Sequence, residues 1–153
     1  MNMDKIMRTL LLAPFLLLMS SASAGELVDD PIPGPIPAQV LRVVDGDTVR
    51  VRARIWLGQE VETNVRLSGI DTAETHAHCD YERVMAQRAT DYVLKALGDG
   101  EGIALMNVTY DKYGRRVVAQ LITANGQDLS SLLLKTGLAH AYDGGHKQSW
   151  CGS

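Results

Sequence analysis

The run Val43-Val44-Asp45-Gly46-Asp47-Thr48-Val49-Arg50-Val51-Arg52-Ala53-Arg54-Ile55 contains the end of one strand, a turn and a complete second strand. Val40 to Val44 is a short apolar segment, Asp45-Gly46-Asp47-Thr48 supplies turn chemistry, and from Val49 onward the residues alternate strictly. Val49, Val51, Ala53 and Ile55 are expected on one face, with Arg50, Arg52 and Arg54 on the other. A turn at Gly58-Gln59 leads to Val61, Val65, Leu67 and Ile70 in a third strand, which completes a meander. The period then changes. Tyr81, Val84, Met85, Ala89, Tyr92, Val93, Ala96 and Leu97 recur at helical spacing, with Gly98 as a stop. Two further strands, Ile103 to Tyr110 and Val117 to Thr123, flank the polar turn Asp111-Lys112-Tyr113-Gly114-Arg115. After Asn125-Gly126, the residues Leu129, Leu132, Leu133 and Leu134 indicate a short second helix ending at Gly137. This order predicts a mainly β fold with α: a five-stranded β-barrel of the oligonucleotide-binding (OB) type, with two to three helices.

Upstream of the barrel the composition changes twice. Lys5 and Arg8 form a basic start, Leu10 to Met19 is apolar around Pro14, and Ala22-Ser23-Ala24 is a small-x-small cleavage pattern. Residues 1–24 therefore read as a signal peptide, which implies export to a periplasmic or secreted location. The apolar run is too short to span a bilayer, so no stable membrane association is expected after cleavage. Residues 25–37 carry Pro31, Pro33, Pro35 and Pro37 at alternate positions, the composition of an extended tether, and the folded domain is expected over residues 38–153.

The whole chain has 153 residues, 46% hydrophobic and 22% charged, enough for one domain with one core. Cleavage would remove Asp4, Lys5 and Arg8 and leave a mildly acidic chain of net charge −4. These values exclude a disordered acidic protein, a collagen-like chain and an integral membrane protein. Export places Cys79 and Cys151 in an oxidising compartment, where one disulfide would contribute roughly 4 kcal/mol by loop closure. Two free thiols are an alternative, as is a metal site, because His76 and His78 lie beside Cys79 and His146 lies near Cys151. Trp150 beside Cys151 suggests a tail that packs back on the domain near the start of the first helix. His140 and His146 read as surface residues.

Acids sit where strands end: Asp47 after the first strand, Asp71 and Glu74 just past the third. Carboxylates delivered by two loops suit a hard cation such as Ca2+, although Asp-Gly and Asp-Thr are also ordinary turn formers. Arg66 lies on the strand that delivers Asp71, and Arg115 closes the Asp-Lys-Tyr-Gly-Arg turn. A guanidinium fork matches two phosphate oxygens and stays charged at any working pH. Arg50, Arg52 and Arg54 form either a local basic stripe for phosphate or a solvated strand face.

VVDGDTV, VRLSGIDTAET and DKYGR together resemble the three signature segments of the staphylococcal nuclease (thermonuclease) family, in order and at compatible spacing. The similarity runs from about Val40 to Tyr142, and GLAHAY resembles the family's closing segment. The resemblance implies a Ca2+-dependent phosphodiesterase acting on DNA and/or RNA, cleaving on the 5′-oxygen side to leave 3′-phosphates. Asp47 and Asp71 match the metal carboxylates, and Thr72 matches the position whose backbone carbonyl joins them. Glu74 matches the acid that orients or deprotonates the attacking water. Arg66 and Arg115 match the phosphate-gripping arginines, and Lys112, Tyr113 and Tyr142 match the nucleotide-binding side of the pocket. A monomer is the default for so small a domain.

Two departures from the family pattern bear on that reading. Ala73 replaces the usual proline between Asp71 and Glu74, which removes a fixed φ from that loop. The familiar family member is strongly basic and ends in a third long helix, whereas the expected mature chain is acidic and stops soon after Trp150, so weaker electrostatic capture of long nucleic acid is expected. Behind the nuclease reading stand a small disulfide-stabilised adaptor without catalysis and, ahead of that, a non-catalytic OB module for single-stranded nucleic acid or oligosaccharide. Such a binding module requires stacking aromatics, which here are few beyond Trp56, Tyr110 and Tyr113.

Overall fold

Alternating burial builds the barrel wall. In the computed structural model, which describes residues 30–152, five strands close on themselves: β1 (Ile36–Val43), β2 (Thr48–Trp56), β3 (Gln59–Leu67), then β5 (Ile103–Tyr110) and β6 (Arg116–Ile122). The circular order is β1-β2-β3-β6-β5, all neighbours antiparallel except β3 and β6, with β1 pairing back to β5. Two-residue strands β4 (Ile70–Asp71) and β7 (His140–Ala141) pair beside the barrel. Helix α1 (Asp80–Leu97) and the short α2 (Leu129–Lys135) complete the fold, which gives two helices among the described residues. The expected signal peptide lies outside the described residues. No helix within them is long and apolar enough to cross a membrane.

Val49, Val51, Val65, Leu67, Leu105 and Leu121 fill the barrel interior with essentially no exposure. Ala89, Val93 and Leu97 of α1 and Leu129 and Leu133 of α2 cap it. Deleting one of these leucine side chains costs about 2–5 kcal/mol, because the lost transfer energy is joined by a cavity. Asp128 caps α2 by accepting from the Ser130 amide at 3.2 Å, and the Ser130 hydroxyl donates to the Ser68 carbonyl at 2.9 Å. Thus α2 is tied to the turn that follows β3.

Three boundaries differ from the sequence reading. Ile55 is 55% exposed rather than inward, because a register irregularity between Arg54 and Trp56 breaks the alternation at the hairpin tip. Ile70 does not continue β3: the chain turns at Gly69 (φ 78°), and Ile70 pairs with Ala141 instead. Residues 32–37 are not a free tether. Ile32 exchanges backbone hydrogen bonds with Val108 at 2.9 and 2.8 Å, and β1 starts at Ile36, two residues before the expected domain boundary. The alternate-position prolines leave Ile32 and Ile36 between them to join the sheet, with no proline amide required.

Candidate active site

Three loops converge on one cleft of about 720 Å³: the β1–β2 loop, the segment after β3, and the β5–β6 turn. Its first wall is Asp45-Gly46-Asp47. The Asp47 amide donates to Asp45 Oδ1 at 3.0 Å, and the Val44 and Asp45 amides donate to the Thr48 carbonyl at 2.9 and 3.2 Å. Gly46 is required by crowding, since a Cβ there would lie 2.7 Å from the Ala89 Cβ and 2.9 Å from the Thr72 hydroxyl. The loop is thereby pressed between α1 and the second acidic segment.

Asp47 and Asp71 meet across Arg66. Arg66 Nη2 donates to Asp71 Oδ1 at 3.1 Å, and Nη1 lies 2.8 Å from Asp47 Oδ2 as an ion pair without an aligned hydrogen. The Thr72 amide donates to the same Asp47 oxygen at 3.2 Å, and the Arg66 guanidinium lies 5.7 Å from the centre of the Tyr142 ring. Asp71 is buried, whereas Glu74 is exposed on the loop leading to α1. Lys147 reaches both, at 2.8 Å from Asp71 Oδ1 and 2.9 Å from Glu74 Oε1. Burial opposes the Lys147 charge, but the hydrogen bonds to Asp71 and Glu74 outweigh it and hold the ammonium well above its usual range.

Acid crowding marks the first loop. Burial, and next the neighbouring charge of Asp47, push the Asp45 carboxyl up. Two carboxylates in that relation, with Asp71 opposite, form an oxygen-rich donor set of the kind a hard divalent cation takes. Asp47 and Asp71 both converge on a point now served by cationic side chains, so the residues fit such an ion. The alternative metal site does not survive. Cys79 and Cys151 form a disulfide, so among the described residues the trio Cys79, Glu82 and Cys151 offers no thiolate.

The third wall is the β5–β6 turn. Buried Asp111 accepts from the Tyr113 amide at 3.0 Å and pairs closely with Arg116. Burial pushes the Asp111 carboxyl up, but the Tyr113 amide and the Arg116 guanidinium prevail and hold it below the usual range. Tyr113 is exposed at the rim, Lys112 lies 5.1 Å from its ring centre, and the Lys112 ammonium donates to the Gly144 carbonyl at 3.2 Å.

The structure thus gathers Asp47, Arg66, Asp71, Glu74, Lys112, Tyr113 and Tyr142 around or directly on one cleft, with Thr72 beside Asp47. It does not put Arg115 on the cleft wall. Arg115 is exposed in the left-handed region (φ 61°), without hydrogen bond or ion pair among the described residues, and its neighbour Arg116 lines the cleft instead. The left-handed pair Gly114 and Arg115 rotates the chain so that the next residue faces inward. Arg116 is committed to Asp111, which leaves Arg115 as the uncompensated guanidinium of the turn.

Asp45, Asp111, Arg116 and Lys147 are site residues that the sequence reading passed over. Asp45 was legible in the Asp-Gly-Asp spacing; Lys147 had no local signal. The basic stripe resolves to its solvated reading: Arg50 and Arg52 pair with Glu62 at 3.1 and 2.8 Å, and Arg54 stands opposite Glu60. His140 is a correction. It is half-buried and stacked on Trp150 with ring centres 3.9 Å apart, not a surface side chain.

A family profile described as "Staphylococcal nuclease homologue" matches residues 64–150, more than half of the chain. Endonuclease YhcR of Bacillus subtilis (strain 168) is 31% identical over 138 residues, covering 83% of this chain and 11% of that protein. An "Uncharacterized endonuclease" of Escherichia coli is 29% identical over 108 residues, covering 71% of this chain and 62% of its own length. The chain therefore spans only part of either relative.

Proposed function

The chain belongs to the staphylococcal nuclease homologue family, and from that premise we propose that it is an exported phosphodiesterase that uses Ca2+ to hydrolyse DNA and/or RNA. The observation that carries this reading is the convergence of Asp47 and buried Asp71 on Arg66, at the wall of a cleft lined by Asp47, Arg66, Glu74, Tyr113 and Tyr142. A disulfide between Cys79 and Cys151 supports the exported part.

Asp47 and Asp71, with Thr72 beside them, would hold the cation. When bound it supplies positive charge to a phosphate oxygen as negative charge builds there. Arg66, held against Tyr142 with Nη1 and Nη2 on Asp47 and Asp71, offers the scissile phosphate the N–H groups not turned to those two carboxylates. The resemblance assigns Arg115 to the same group, although its side chain here stands exposed and off the cleft wall. Fixed guanidinium groups lower the barrier because they bind the transition state, where charge accumulates on the equatorial oxygens, more strongly than the ground state. Glu74 accepts a proton from the attacking water as its oxygen bonds to phosphorus. The bond to the 5′-oxygen breaks, that oxygen takes up a proton and leaves as the 5′-hydroxyl, and the phosphate stays on the 3′ side. Lys112 and Tyr113 at the rim meet the neighbouring nucleotide.

Digestion of single-stranded DNA and of RNA by the purified protein, with Ca2+ and with EGTA, beside a Glu74→Ala variant, tests the assignment. The expected result is cleavage that needs Ca2+ and falls about 100- to 1000-fold in the variant. The new ends would resist polymerase extension until a 3′-phosphatase removes the phosphate. A folded protein that binds Ca2+ and nucleic acid without cleavage would overturn the enzyme reading in favour of a binding module.

A further inference from the structure

Glu74 stands on a segment without regular structure, between β4 and α1, with its side chain 65% exposed. An exposed glutamate on such a loop samples several rotamers, and fixing it has an entropic cost. Here both of its ends are held from one corner of the molecule. Its amide donates to Glu82 Oε1 in the first turn of α1 at 3.2 Å, and its carboxylate accepts from Lys147 at 2.9 Å.

Lys147 is itself brought there by a strap. After β7 the chain runs past the cleft mouth, where Lys112 donates to the Gly144 carbonyl. It ends in Trp150, buried against Ala73, Met85 and Ala86 and stacked on His140. The next residue, Cys151, is bonded to Cys79, the N-cap of α1. Ala73 is the residue just before Glu74, so the indole belongs to the buried cluster that holds the glutamate's chain neighbour. An exposed Lys–Glu pair alone contributes about 0–1 kcal/mol and would not fix either side chain. A lysine anchored three residues from a buried tryptophan and four from a disulfide has far less freedom to lose.

We propose that Lys147 is a positioning residue of the active site: the strap closed by Trp150 and Cys151 holds its ammonium against Asp71 and Glu74 and so aims Glu74 into the cleft. This rests on the nuclease reading above. It assigns to the C-terminal segment the rigidity that Ala73 does not give the loop. The same ammonium competes with a divalent cation for the charge of Asp71, so its removal has two opposite effects. Glu74 loses its anchor and turnover falls, while the cation binds more tightly.

Lys147 is half exposed, so Lys147→Met and Lys147→Arg retain the fold. For Lys147→Met, kcat is expected to fall at least tenfold with KM within about twofold of wild type. Lys147→Arg is expected to recover most of that loss. Calorimetric titration with Ca2+ alone, without nucleic acid, is expected to give at least threefold tighter binding for Lys147→Met. A Cys79→Ser/Cys151→Ser protein should lose kcat to a similar extent, and adding Lys147→Met to it should cost little more. Unchanged kcat and Ca2+ affinity in Lys147→Met would reduce Lys147 to a surface ion pair and overturn the proposal. A raised kcat would also overturn it, by making the strap a brake. If the wild-type protein cleaves nothing, the nuclease reading fails; the Ca2+ titration then still decides whether Lys147 competes for the acidic cluster.

Discussion

Replacing Arg66 by Met separates the electrostatic role of this residue from its role toward substrate. The guanidinium is 11% exposed and lies 2.8 Å from Asp47 and 3.1 Å from Asp71, whose side chains are 13% and 4% exposed. At an effective dielectric of about 20, unit charges about 4 Å apart attract by about 4 kcal/mol each, before desolvation is subtracted. Breaking such a buried pair from one side costs about 3–5 kcal/mol, because a charge is left without compensation. Lys147 remains at 2.8 Å from Asp71 and softens that loss, which sets the expectation near the lower end, about 3 kcal/mol. For a domain of this size the melting temperature should fall by about 10–12 °C in EGTA. Calcium then enters with the opposite sign. A ligand at a hundred times its Kd adds about 2.7 kcal/mol to the native state, and with Arg66 gone the cation meets two carboxylates no longer neutralised by a guanidinium. On the proposed nuclease reading, the Ca2+-induced rise in Tm should therefore be larger in Arg66→Met than in wild type, and the variant should lose nearly all cleavage. Thermal melts of both proteins in EGTA and in Ca2+, with no nucleic acid present, read this directly. A variant within about 1 kcal/mol of wild type in EGTA would refute the electrostatic account. So would an equal Ca2+ shift in the two proteins.

Asp45→Asn is expected to act oppositely with and without metal. Because burial and Asp47 raise the Asp45 carboxyl, its stabilising contribution is present at acid pH and is lost as pH rises through that raised value. The variant should melt above wild type in EGTA at pH 7, the gain should vanish towards pH 4, and Ca2+ affinity should drop about tenfold through loss of a nearby negative charge. Arg115→Gly divides stability from activity at one position. A non-glycine residue at φ 61° costs about 1–2 kcal/mol, so urea unfolding should detect a gain of about 1 kcal/mol, while cleavage falls about 100-fold or more. Retained cleavage would transfer the phosphate role to Arg116.

What the sequence made legible, and what it did not, follows from the range of the forces involved. The strands and helices were readable because Val49, Val51 and Ala53, or Ala89, Val93 and Leu97, announce a buried face within their own few residues. The acids of the cleft were readable for a related reason. Asp-Gly-Asp forms its turn with side-chain oxygens accepting nearby amides, as Asp45 does for Asp47, and the same oxygens suit a cation, so one local motif signals both. Where a strand is interrupted, local periodicity fails. Ile55 at a bulge and Ile70 beyond Gly69 each kept the expected residue type but lost the expected partner.

The cationic side chains belong to a different class. A lysine or arginine is equally at home in solvent, and only long-range pairing decides whether it is spent, free or catalytic. Arg50 and Arg52 are neutralised by Glu62 because the β2–β3 register puts Glu62 opposite Arg52 and diagonal to Arg50, which itself stands opposite Asn64. Arg116 rather than Arg115 faces the cleft because two consecutive left-handed residues rotate the turn. Lys147 reaches Glu74 across 73 residues of sequence, and what brings it there is the Trp150–Cys151 pair, not any property of its own neighbours. In this fold the negative half of the candidate site is thus encoded locally in turns, and the positive half is encoded by closure of the barrel and of the tail. Substitutions far from the cleft that loosen either closure should therefore alter its charge balance before they alter its acids.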